Sequence, residues 1–511
     1  MTVTGPPPRL PWSSRVLSLT LFLGISFRFL AFTTDRPLWI DEAMLVLNIA
    51  ERTPLELLEP LDHNQAAPIG FLLLIKGATV LFGESERVLR LVPFVGSILG
   101  LLAFAVAALR WLPTPASQLA VAVFAVSPTI VSYAAEVKPY STDAATSAVL
   151  LAISASLIRK STVGRGRWWV MGLTGLVAIW LSYPAVFVLG GIGGVLTFQA
   201  FRTRQTRRPT VMMVMAWLIS FSAQYGVNLK PSSANPYLTT YWDSHFLPFT
   251  PSVGVWLVEH LVNLFHTACG FGGDTFRAAG LAAVAAGVGV VTNWRESRCA
   301  EVGIVGITVL LTLLASALRT YPFEGRLLLF LVPLVVGMVA QGTVAISDHL
   351  CGWSRFGVLA VVFAAPLTET LHQWRHPPRM ENLPGVLAKI QDLWQAGDRV
   401  YVYNGSGNLG AGPAFRWYNR SGAFPAEAVI EGGMHRADPS QYRVEVFALH
   451  PPGRVWVVFS HRHRDEETLI CSHFDQIGER IRTISRIGAA GYEYQIRPKP
   501  PLGCPAPALG K

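Results

Sequence analysis

Charge is scarce in this 511-residue chain: 14% of residues are Asp, Glu, Lys or Arg, while 51% are hydrophobic. That balance excludes a single soluble domain, where about a quarter of residues are charged. Acidic residues are the scarcer sign, 32 against 42 Lys and Arg, for a net charge of +10. In a soluble protein the excess would point to nucleic acid. Here the basic residues sit in short loops between apolar runs and set orientation, so no nucleic-acid partner is expected. Cysteine is scarce too, and the five present show no metal-ligand spacing, which excludes a zinc-finger or ribbon module. No small-residue cleavage site closes the first apolar run at Arg28-Phe29-Leu30-Ala31-Phe32, so that run is expected to be a retained anchor. Internal repeats and long low-complexity tracts are absent, and the Pro-rich ends at 6–11 and 498–507 are expected to be disordered.

What the chain has instead is apolar length. Runs able to cross roughly 30 Å of hydrocarbon occur near 16–34, 92–111, 116–134, 142–158, 168–183, 185–201, 210–228, 276–293, 301–317, 326–346 and 356–372. They predict a polytopic α-helical protein of the cell membrane with about eleven transmembrane helices. Arg9 and Arg15 precede the first run, Arg159, Lys160, Arg165 and Arg167 follow the fourth, Arg202, Arg204, Arg207 and Arg208 follow the sixth, and Arg295 and Arg298 follow the eighth. If the runs alternate, all four sets are cytoplasmic, with the amino end inside and the carboxyl end outside. Segment 68–83 carries Lys76 and segment 253–270 carries Glu259, His260 and His266. Both are expected to lie on the outer surface as juxtamembrane helices.

From about Pro377 the pattern changes to strands at 398–403 and 453–459 and helices at 383–394 and 466–484, a small extracytoplasmic α/β domain over 377–511 attached to a membrane domain over 1–376. The run Gly405-Ser406-Gly407-Asn408-Leu409-Gly410 follows a strand and fits the dinucleotide fingerprint. Ala411-Gly412-Pro413 opens a poor phosphate-capping helix, and a flexible turn is the better reading. Cys471 and Cys504 would share the oxidising exterior, where they either pair as a disulfide or stay as thiols. His461 and His463 read as a solvated strand end.

Four outer regions hold the candidate chemistry. The acidic pair Asp41-Glu42 in Leu38-Trp39-Ile40-Asp41-Glu42-Ala43-Met44 is costly to desolvate, so it either does chemistry, binds a cation or faces water; the plain alternative is a helix cap. His63-Asn64-Gln65-Ala66-Ala67-Pro68 either lines a sugar-sized pocket or is an ordinary turn closed by proline. Glu136 and Tyr140, with Lys138 between them, end the third run on the same side. Arg319 and Arg326, in Arg319-Thr320-Tyr321-Pro322-Phe323-Glu324-Gly325-Arg326, break the orientation rule, which binding an anion would explain.

Taken in order, Ile40-Asp41-Glu42-Ala43, His63-Asn64-Gln65-Ala66-Ala67-Pro68-Ile69, Leu89-Arg90-Leu91-Val92-Pro93, Glu136-Val137-Lys138-Pro139-Tyr140 and Tyr321-Pro322-Phe323-Glu324-Gly325-Arg326 resemble a GT-C membrane glycosyltransferase of the protein-mannosyltransferase and aminoarabinose-transferase type. The resemblance runs from about Arg28 to Ala345 and departs where relatives often carry two prolines and this chain has Ala66-Ala67. It implies a polyprenyl-phosphate sugar donor, an outer-face reaction and a glycan, lipid or protein acceptor. By resemblance Asp41 is the base, Glu42 and Glu136 shape the site or hold a divalent cation, and Arg326 binds the donor phosphate with Lys76 or Lys138 as helper. His63, Asn64, Tyr140 and Glu324 complete the substrate-binding set, and no metal ligands are assigned.

The competing class is a transporter of a lipid-linked or small solute. Transporters place ionisable residues near the midplane in two related halves, whereas here charges gather at run ends and no second half echoes the first. A non-catalytic assembly protein is the third reading, and Asp41 with Arg326 argues against it.

Overall fold

The computed structural model describes residues 14–159, 164–230, 235–273, 278–376, 381–406, 409–449 and 452–498. The chain divides into two compact units, Met1–Thr34 with Arg52–Pro377, and Asp35–Glu51 with Pro378–Lys511. Residues 35–51 therefore leave the block 1–376 in which sequence alone put them. The Pro-rich ends 6–11 and 499–507 lie outside the described residues.

The first unit is helical. Among the described residues, eight helices are long and apolar enough to cross a membrane by length and composition: Arg15–Thr33, Glu86–Trp111, Tyr140–Ile158, Ala185–Arg202, Arg204–Leu229, Cys299–Ala317, Gly325–Asp348 and Ser354–Arg375. Three of the eleven expected runs are not among them. Runs 168–183 and 276–293 form helices of 17 residues, Arg165–Leu181 and Ala279–Arg295. Run 116–134 is two helices, Thr114–Ala125 and Pro128–Tyr133, because Pro128 has no N–H to continue the ladder and its ring clashes with the preceding turn.

That break strands carbonyl oxygens, and Arg28 of the first span collects them. Its Nη1 donates to the carbonyls of Gly24 and Ala125, each at 2.9 Å, Nη2 to Phe124 at 3.4 Å, and Nε to Ser97 Oγ at 2.9 Å. A fully buried arginine thus satisfies the open end of a neighbouring helix. Gly325–Asp348 is the central helix, with 94% of its most apolar stretch buried. Ala279–Arg295 reaches it backbone to backbone: a Cβ on Gly342 would collide with the Ala285 carbonyl, and one on Gly289 with that of Met338. Small residues at the crossing are what permit the approach.

Segment 68–83 forms a helix, Ile69–Phe82, of 14 residues, about 21 Å long and short of the hydrocarbon thickness. Segment 253–270 forms Val253–Asn263 and runs on into a π-turn, Leu264–Ala268.

The second unit carries a five-stranded sheet, β1 Arg399–Val402, β2 Val429–Glu431, β3 Gly453–Ser460, β4 Gly478–Arg486 and β5 Ala489–Ile496, in the order β2-β1-β3-β5-β4. β1 pairs in parallel with β2 and β3, and β5 lies antiparallel between β3 and β4. The helix expected over 466–484 stops at Ile477, and residues from Gly478 on are β4. Gly478 takes an extended backbone, and the β-branched Ile481, Thr483 and Ile484 that follow suit a strand pairing with β5.

Candidate functional site

Segment 321–326 is held at alternate residues, which decides what the others present. Tyr321 donates its hydroxyl to the Leu327 carbonyl at 2.7 Å. Burial first, and then the nearby Asp143 and Tyr140, hold this phenol well above its usual range, so it stays a neutral donor. Phe323 is fully buried, and its N–H donates to the His245 carbonyl at 2.9 Å. Gly325 has φ +41°, a conformation costly for other residues. Glu324 and Arg326 are left half-buried between these anchors.

Arg326 meets Tyr140. Its guanidinium carbon lies 5.6 Å from the Tyr140 ring centroid and 6.0 Å from that of Trp242, within cation–π range. Tyr140 opens the helix Tyr140–Ile158 and meets Tyr133 edge-on at 5.0 Å.

Glu324 gathers a different set. Asn263 Nδ2 donates to its Oε1 at 2.6 Å, and its Oε2 lies 3.3 Å from His245 Nδ1 and 3.9 Å from His260 Nε2. The three potential ligand atoms lie within 4.8 Å of one another. Among the described residues this is the group of metal-ligating side chains that comes together, and it includes neither Glu42 nor Glu136, the carboxylates expected to hold a cation.

The loop at 62–68 is more than a proline-closed turn. His63 and Asn64 both take positive φ, +59° and +54°. Asn64 Oδ1 accepts from Asn235 Nδ2 at 2.9 Å, Gln65 Oε1 accepts from Lys138 Nζ at 2.8 Å, and the Ala67 carbonyl accepts from the Tyr183 hydroxyl at 2.7 Å. Three distant segments therefore fix the loop through Asn64, Gln65 and a main-chain oxygen. Glu136 is buried just after Pro128–Tyr133 and accepts from Ser132 Oγ at 3.3 Å. Lys76 is half-buried within Ile69–Phe82.

Asp41 and Glu42 belong to the second unit. They occupy the first turn of the helix Ile40–Glu51, where negative charge suits the helix dipole. Glu42 is 1% exposed, and most of the helix beyond it is buried. The Leu38 N–H donates to the Tyr418 hydroxyl at 2.8 Å, and Trp39, Ile40 and Met44 pack with Leu409. The glycine run ends at Gly410, φ +90°, before a seven-residue helix, Gly412–Tyr418; Gly407 and Asn408 lie outside the described residues. Cys471 is a buried thiol, and Cys504, its expected partner, also lies outside them.

Sequence reasoning missed Trp242, His245, Asn263 and Asp143, and treated His260 only as a break in an apolar stretch. His245, His260, Asn263 and Glu324 follow no local spacing rule. Asp143, buried one turn into a membrane helix, carried a usable signal, because an ionisable residue inside an apolar span is a functional candidate by default.

No family model matches the chain, and no curated protein matches it by sequence. Solved structures do. ArnT from Cupriavidus metallidurans bound to undecaprenyl phosphate superposes with TM-score 0.54 at 12% identity, over 94% of this chain and 98% of that one. AglB from Archaeoglobus fulgidus, an archaeal oligosaccharyltransferase in complex with an inhibitory peptide and a dolichol-phosphate, gives TM-score 0.49 at 11% identity, over 94% of this chain and 74% of that one. The first of these likenesses carries the fold. The GT-C fold expected from the motif order is the fold of this chain.

Proposed function

We propose that this chain is an integral membrane glycosyltransferase that moves a sugar from a polyprenyl-phosphate donor to an acceptor on the extracytoplasmic face. The observation that carries the reading is Arg326, a cation at the head of the central apolar helix, faced by Tyr140 and Trp242. A planar guanidinium matches phosphate bidentately, and the ArnT structure that shares this fold holds undecaprenyl phosphate.

In the reaction an acceptor oxygen bonds to the anomeric carbon while the bond from that carbon to the phosphate oxygen breaks. The acceptor proton passes to a carboxylate base, and the departing phosphate keeps the electron pair, which a cation stabilises. Asp41 is the base and Arg326 the phosphate ligand. Glu42 and Glu136 shape the site, and Lys76 adds positive charge. Lys138 acts through Gln65 on the loop of His63 and Asn64, which meets the sugar with Tyr140. Glu324 orders the loop that presents Arg326. Counting Arg165–Leu181, Ala279–Arg295 and the broken pair Thr114–Ala125 and Pro128–Tyr133 with the eight long helices gives eleven crossings. The amino end is then cytoplasmic, and the unit of 35–51 and 378–511 is extracytoplasmic.

The test is lipid analysis of a deletion strain beside its parent. One polyprenyl-phosphate sugar should accumulate while one envelope glycan, glycolipid or glycoprotein loses that sugar. Unchanged lipid-linked sugars and unchanged envelope glycans would sink the reading.

A further inference from the structure

We infer that His245, His260 and Glu324 form a binding site for a divalent transition metal of the zinc class. Two imidazoles and one carboxylate are the three-ligand set of open zinc sites, which keep a fourth position for water or a substrate oxygen. Imidazole donors also select against magnesium and calcium, which prefer all-oxygen shells.

The spacing fits. Zinc bonds of about 2.0–2.2 Å put neighbouring ligand atoms of a tetrahedron about 3.3–3.5 Å apart. His245 Nδ1 and Glu324 Oε2 are already at 3.3 Å. His260 Nε2 is 3.9 Å from the same oxygen, a gap that small side-chain rotations close.

The surroundings orient the ligand atoms. His260 Nδ1 lies 2.9 Å from the Trp256 carbonyl, which can only accept, so Nδ1 carries a proton and Nε2 is the ring nitrogen turned to Glu324. The His260 ring is stacked on Trp256 at 3.9 Å, and Trp256 is itself anchored by its Nε1–H to the Ser244 carbonyl at 3.0 Å. Asn263 occupies Glu324 Oε1 and so turns Oε2 to the two rings. His245 Nδ1 is buried and makes no well-aligned hydrogen bond, an orphan that a metal bond would satisfy. A protonated His245 paired with Glu324 would account for one contact but not for the second imidazole turned to the same oxygen.

An ion here joins the segment around His245 to the loop that presents Arg326, two residues beyond Glu324. The site stands whether or not the chain transfers sugar, because it rests on the ligand geometry alone.

The experiment uses the full chain purified in detergent, stripped with chelator and re-equilibrated with zinc. About one zinc should remain per chain, and excess magnesium should not displace it. Cobalt substituted for zinc should give the intense visible absorption of a tetrahedral imidazole site. E324Q and H260Q should each weaken zinc binding at least about tenfold, and Asn263→Ala, which removes an orienting bond and no ligand, should weaken it by about 10-fold or more. Size-exclusion elution and thermal midpoint serve as folding controls. Wild-type zinc content equal to that of an H245Q/H260Q double variant, or displacement by magnesium, would overturn the inference. If the ligand variants do not fold, the wild-type cobalt spectrum decides: octahedral or absent absorption is equally fatal.

Discussion

The guanidinium of Arg326 is held 5.6 Å from the ring of Tyr140, the first residue of a different membrane helix. An arginine fixed in this way loses little entropy on taking a phosphate. Arg326→Ala should weaken binding of polyprenyl phosphate by about 1.5–3 kcal/mol, the range for hydrogen bonds to a charged group. Arg326→Lys should recover only part, since an ammonium lacks the planar fork. Titration of the purified variants with the lipid phosphate reads both, and undiminished affinity in the alanine variant would remove Arg326 from the phosphate role.

Base and phosphate ligand separate kinetically. Asp41→Asn should keep donor affinity and lower single-turnover transfer by roughly 10²-fold or more, the scale of lost general-base catalysis. Lost donor binding with normal transfer per bound donor would make Asp41 a binding residue instead.

Sidedness can be read with impermeant thiol reagents. Cys299 and Cys351 are exposed and should react from the cytoplasmic face, whereas a cysteine placed at position 41 should react from outside. Labelling of position 41 from the cytoplasm alone would defeat the outer-face reaction.

A pH effect is expected in the second unit. Burial first, and then the charge of Arg443, hold His473 below its ordinary value. With the folded value lower, the unfolded chain binds more protons between the two values. Stability is therefore unaffected above the unfolded value, falls as pH drops through about 6.5, and stops falling below the folded value. His473→Gln should flatten this part of the pH profile of the thermal midpoint. An identical slope in the variant would assign the effect to other groups.

Much of the architecture was legible because membrane spans are written in long apolar runs, and eight of the eleven survive as long helices. Run 116–134 was legible as apolar length but not as two helices, although Pro128 lies inside it, because apolar length does not register a missing N–H. Segment 466–484 was misjudged because amphipathic spacing was carried past Gly478 into residues of higher strand propensity. The site was half legible. Tyr140 and Arg326 were each singled out because motif order carried them, but their contact was not, and the packing of residues 35–51 with Leu409 and Tyr418 depends on contacts hundreds of positions apart. The same holds for Asn263 beside Glu324, 61 residues later.

Arg28 has a consequence for biogenesis. Its partners at Phe124 and Ala125 come 96 and 97 residues later in the chain, about 5–20 s of synthesis at ordinary rates. Through that interval the guanidinium has the Gly24 carbonyl of its own helix, and later Ser97, but not the two carbonyls of the Thr114–Ala125 helix, and hydrocarbon disfavours it. Release of the first helix to lipid is therefore costlier before its partner helix is made than after.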